Sequence, residues 1–174
     1  MKFRFFNQKA TLVTFILGIV ASSCYKEPVF SLTPEITYAG FEKEILVDAF
    51  SGANKDSLVI SLDFTDGDGD LGLNETEKAA AEEKQEYNFF VKTFRKKNGK
   101  ITEFTPFIPY SGFFPRLKND DRPGPIKGTL SYSIEFPHPF TPKRDSLQFQ
   151  VYIKDRAGNL SNVATTDVIV LNEF

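Results

Sequence analysis

From Glu35 onward, hydrophobic and polar residues alternate with a period of two, the pattern of strands buried on one face. Leu58, Ile60, Leu62 and Phe64 alternate with Val59, Ser61 and Asp63. Leu130, Tyr132, Ile134 and Phe136 alternate with Ser131, Ser133 and Glu135. Leu147, Phe149, Val151 and Ile153 do the same against Gln148, Gln150, Tyr152 and Lys154. Tyr87–Lys96 and Val163–Leu171 are further β-rich runs, Glu44–Phe50 supplies a first strand, and Asn98-Gly99 is a hairpin turn signal. About seven short strands separated by turn residues predict an all-β fold, an antiparallel β-sandwich over residues 35–174.

One stretch departs from that pattern. Glu75–Gln85 (ETEKAAAEEKQ) is rich in helix formers, and Asn74 with Glu77 three residues later makes a capping-box start. It has no apolar stripe, so it predicts one short solvated helix inserted between strands. Tyr110–Gly128, with Pro115, Pro123 and Pro125, predicts a long irregular connection.

The N-terminus carries an address. Met1–Lys9 is basic, Ala10–Ala21 is apolar over only 12 residues, and Ser22-Ser23-Cys24 follows. That run is too short to cross a membrane as a helix, and the sequence of charge, apolar stretch and small residues predicts a signal peptide over residues 1–23. The pattern ending at Cys24 resembles the lipobox of bacterial lipoproteins. The resemblance implies acylation of Cys24 and attachment to a membrane of the cell envelope, the outer membrane being expected. Residues 24–34, with Pro28 and Pro34, are then a tether.

Composition removes several classes of function. Without Lys2, Arg4 and Lys9, the 21 basic residues fall to 18 against 23 acidic ones, a net charge of −5. No basic stripe is present, which argues against nucleic acid as a partner. One Cys and one His exclude a disulfide framework and a zinc site of four Cys or His ligands. No nucleophile elbow or phosphate-binding loop occurs, so the chain is expected to be non-enzymatic.

The acidic loop is the most informative motif. In Asp66-Gly67-Asp68-Gly69-Asp70, flexible glycines let three carboxylates fold around one centre, as a hard cation such as calcium requires. Aligned to an EF-hand, Asp66, Asp68, Asp70 and Glu77 take ligand positions, but Leu71 stands where that loop needs glycine. A calcium loop on a β-sandwich fits better. Asp63–Gly72 (DFTDGDGDLG) resembles the DGDGDLG signature of small Bacteroidetes lipoproteins with an immunoglobulin-like domain. Ile126–Leu130 (IKGTL) and Asp155–Asn162 (DRAGNLSN) are similar to the same group, and the resemblance spans roughly Phe41 to Leu171. It implies an immunoglobulin-like sandwich in the envelope and no particular activity. In immunoglobulin order Leu58–Phe64 is strand B and Leu147–Lys154 strand F, so the B–C and F–G loops share one end. Asp155 and Asn159 then join Asp66, Asp68 and Asp70 as expected calcium ligands.

The remaining features have plainer expectations. Phe104, Phe107, Tyr110, Phe113 and Phe114 are expected in the core, with a glycan platform as the alternative. Arg95-Lys96-Lys97 is expected to be a solvated strand edge. His138, between two prolines, is expected in a turn without a partner. The function expected is a calcium-stabilised binding or structural module with a protein or glycan partner; the alternatives are glycan binding or a hydrolase using Asp63–Asp70 with Asp155.

Overall fold

The computed structural model describes residues 28–120 and 122–174; the signal and Cys24 lie outside them. In chain order the elements are β1 (Glu35–Val47), β2 (Asn54–Asp66), α1 (Glu75–Lys84), β3 (Phe89–Lys97) and β4 (Lys100–Phe104). There follow β5 (Ile126–Pro137), a 3-10 turn at His138–Phe140, β6 (Asp145–Ile153), β7 (Ala164–Thr165) and β8 (Ile169–Leu171). Two antiparallel sheets form, β1-β2-β5 and β4-β3-β6-β7, with β8 pairing the start of β6. The fold is therefore an all-β sandwich with one short helix, with β2 and β6 in the places of strands B and F.

The period-two rows supply the core. Leu58, Ile60 and Leu62 of β2 are fully buried, with Phe64 close to it, and β6 opposes them with Leu147, Phe149, Val151 and Ile153. Leu130, Ile134 and Phe136 of β5, beside β2 in the same sheet, widen that apolar face. The register of β2 with β5 runs unbroken from Lys55↔Pro137 to Asp66↔Ile126, as strict alternation on both strands demands.

The inward rows of β2 and β6 each have an aspartate at both ends. Counting by two along β2 gives Asp56, the four apolar residues, then Asp66; along β6 it gives Asp145, its four apolar residues, then Asp155. All four aspartates are buried. At the end where β2 and β6 begin, each faces a base. Asp145 receives Arg95 Nη2 at 2.9 Å, and Asp56 Oδ1 lies 3.3 Å from His138 Nε2. Asp56 Oδ2 also accepts the backbone N–H of Asn172 at 2.6 Å.

Several expectations need correction. The first strand begins at Glu35 rather than Glu44 and stops at Val47, before the turn that holds Phe50. A register shift at Tyr38/Gly40 cuts short the alternation of its first half, in which Ile36 and Tyr38 turn inward. The run Val163–Leu171 is two short strands, because Thr166 turns inward and bonds Phe149 through both its backbone N–H and its Oγ1. Of the row Arg95–Lys97 on β3, Lys96 and Lys97 pair only with β4 and are exposed, as a solvated edge requires, but Arg95 lies between β4 and β6 and stacks on Phe104 with its guanidinium carbon 3.8 Å from the ring centre. His138 has the Asp56 carboxylate as its neighbour. The aromatic cluster splits, for Phe114 is in the core while Phe107 is fully exposed.

Candidate metal centre

The β2–β3 and β6–β7 connections leave the sandwich at the same end, because β2 and β6 both finish there. Asp66 and Asp155 are the next inward positions after Phe64 and Ile153, so each strand delivers a carboxylate to the mouth of the core. Asp70 comes over them from the β2–β3 loop. One ligand oxygen from each of Asp66, Asp70 and Asp155 lies within 4.8 Å of the other two.

Backbone donors shape this arrangement. Asp66 Oδ2 accepts the N–H groups of Gly69 at 2.8 Å and Asp70 at 3.1 Å, an Asx-type turn that folds the loop back on its own strand. Gly69 has φ +74°, and a Cβ there would stand 2.5 Å from Gly124 O, so both conformation and space require glycine. Across the sheets, Asp70 Oδ2 accepts the N–H of Ala157 at 2.9 Å, and Arg156 donates Nη1 to Gly72 O at 3.2 Å. The two loops are thus already stitched together.

The expected ligands take different places. Asp66, Asp70 and Asp155 converge. Asp68 is outside that three-way group, though its charge is felt by both Asp66 and Asp70. Asn159 sits behind Asp155, donating its backbone N–H to Oδ1 at 2.6 Å and Nδ2 to Oδ2 at 2.8 Å, and so fixes that carboxylate's direction.

The electrostatics are unfavourable without a cation. Among the described residues no Lys, Arg or His nitrogen comes within 4.0 Å of these three carboxylates. Burial, then the charge of Asp68, pushes the Asp66 carboxyl up to about 6 despite its two N–H donors. Burial and Asp155 raise Asp70, while the N–H of Ala157 and the Arg156 charge pull it back. Asp66 Oδ1, Asp68 Oδ1 and Asp70 Oδ1 are buried and accept no hydrogen bond from the protein. Buried carboxylate oxygens without donors are what a cation site offers, since a hard ion takes six to eight oxygens and can draw the rest from water and backbone.

Sequence reasoning missed the two aspartates at the opposite end, although counting by two from the same apolar rows finds both. It also missed Asn88, which is buried before β3 and pairs with both backbone groups of Phe114 at 2.9 and 3.1 Å. No periodic signal marks Asn88.

A second feature lies on the open side of the sandwich, between β5 and the chain following β4. An open cleft of about 830 Å³ runs there, with Arg95, Phe104, Tyr110 and Phe136 in its lining and Phe107 and Phe140 on its walls. Among the described residues no helix is long and apolar enough to cross a membrane. No family model, curated protein or solved structure matches the chain.

Proposed function

We propose that this chain is a lipid-anchored, non-enzymatic binding module of the cell envelope whose sandwich is stabilised by calcium held by Asp66, Asp70 and Asp155, with Asp68 alongside. One contrast carries the calcium reading. The buried aspartates at one end of the core lie beside Arg95 and His138, whereas Asp66, Asp70 and Asp155 at the other end have backbone N–H groups and the Asn159 amide as partners and, among the described residues, no cationic side chain within 4.0 Å. A divalent cation between the β2–β3 and β6–β7 loops offsets that repulsion and joins the two sheets at their mouth. The resemblance at Cys24 and in the DGDGDLG loop supports the envelope location.

The test is a thermal melt of the full chain in millimolar calcium and then in chelator. Extracellular modules hold calcium with Kd of about 10⁻⁴–10⁻³ M, so a tenfold excess stabilises by about 1.4 kcal/mol. For a domain of this size the melt moves up by about 3–6 °C. Asp66→Asn and Asp155→Asn each abolish the response. A wild-type melt indifferent to calcium refutes the cation site.

The cleft supports glycan binding as a second reading of what the module recognises. Phe107 and Phe140 stand almost fully exposed on its walls, as rings that stack on sugar faces do. The double variant Phe107→Ser/Phe140→Ser loses retention on immobilised oligosaccharides while keeping the wild-type melt. Equal retention by wild type and variant removes the glycan reading.

A further inference from the structure

The segment that enters the domain is bonded to the same two loops that carry the acids. Gly67, the residue after Asp66, donates its N–H to Ser31 O at 2.8 Å. A Cβ on Gly67 would stand 2.7 Å from Phe30 O and 2.8 Å from Ser31 O, so the incoming chain lies directly on the loop backbone. Asn162, from the β6–β7 connection, grips the next stretch. Its Oδ1 accepts the N–H of Ile36 and its Nδ2 donates to Ile36 O, both at 2.8 Å. Residues 30–36 are therefore clasped by one contact from each loop.

We infer that calcium acts as a latch on this N-terminal segment, an inference that rests on the cation site proposed above. The ion draws the β2–β3 and β6–β7 loops together, and that closure sets the positions of Gly67 and Asn162 at once. With calcium bound, residues 30–36 are held against the domain and the direction in which the preceding chain leaves is fixed. When calcium is withdrawn, repulsion among Asp66, Asp70 and Asp155 spreads the loops and the clasp loosens. Calcium thereby governs how firmly the domain is oriented on its attachment, as well as how stable it is. Coupling of this kind is reciprocal, so an intact clasp also strengthens calcium binding.

Two measurements on the full chain read the latch directly. Hydrogen exchange at the Ile36 amide, which donates to Asn162 rather than to a carboxylate, slows at least tenfold in calcium relative to chelator. Chymotrypsin cleavage after Phe30 slows in parallel. Gly67→Ala separates latch from site, because its added methyl displaces the backbone of Phe30 and Ser31 while every carboxylate remains. This variant still melts higher in calcium but needs about fivefold more of it for half the effect, and it loses the calcium dependence at Ile36 and Phe30. Asn162→Ala, which cuts the second tie, gives the same loss. A wild-type melt that responds to calcium, with exchange at Ile36 and cleavage at Phe30 unchanged, overturns the latch and leaves the cation site standing. A wild-type melt that ignores calcium overturns both.

Discussion

Asp66 combines a buried position at the end of an apolar row with two like charges as neighbours, and its acid–base behaviour follows. In the folded chain its carboxyl titrates at about 6, above the value near 3.9 of an unfolded aspartate. The folded state therefore binds the proton more tightly than the unfolded one. In chelator, the stability contributed by this proton is fully present below about pH 4 and is lost as pH rises through about 6. Melting temperature in chelator falls across that window in the wild type, and falls less steeply in Asp66→Asn. Equal slopes would assign the pH dependence to another group. In calcium the trend reverses, because proton and ion compete for the same oxygens. The sequence displayed Asp66, Asp68 and Asp70 openly, as a Gly-spaced acidic run. It concealed that Asp66 is fully buried and that Asp68 stands apart, since burial depends on where the strand ends relative to the facing sheet.

At the scale of elements, alternation was legible wherever both faces of a strand have different surroundings. On β6, Phe149 and Val151 are fully buried and Gln148 and Gln150 are not, as the period of two requires. Phe149→Ala leaves a ring-sized hole between the sheets and costs about 3–5 kcal/mol in denaturant unfolding. Gln150→Ala changes stability by less than about 0.5 kcal/mol. A reversed order would mean the strand's faces are exchanged. The helix was legible for a different reason, its cap. Asn74 Oδ1 accepts the N–H of Glu77 and Glu77 Oε2 accepts that of Asn74, both at 2.8 Å, the box the spacing announced. The first half of β1 does alternate, with Ile36 and Tyr38 turned inward between exposed Glu35, Thr37 and Ala39, but the run is short and ends at the bulge at Tyr38/Gly40, so it gives only a weak signal. The sequence reads the connection from Tyr110 as irregular through Gly128, whereas β5 already takes in Ile126–Gly128, and its fixed points, Asn88 on Phe114 and Glu77 on Arg116 at 2.6 Å, depend on partners 26 and 39 residues away.

For the molecule as a whole, the N-terminal segment and the acidic loops share one end, while the β1–β2 turn, the His138–Phe140 turn and the C-terminus share the other. The attachment through Cys24 proposed above would place the first end toward the membrane. Cys24→Ser, tested by detergent phase partition, moves the full chain from the detergent to the aqueous phase, and identical partition of wild type and variant would refute lipid attachment. At the far end Phe50, Phe140 and Phe174 are exposed. The length of the paired strands then has a mechanical consequence. β1 and β2 each run for 13 residues, a span of about 40 Å at roughly 3.3 Å per residue. A rigid ladder of that length, pivoting at its base, is a lever: a swing of about 20° at the clasp sweeps the far rim through about 14 Å. On the latch proposed above, a small loss of grip at Ser31, just before the ladder begins, would be amplified at the far rim.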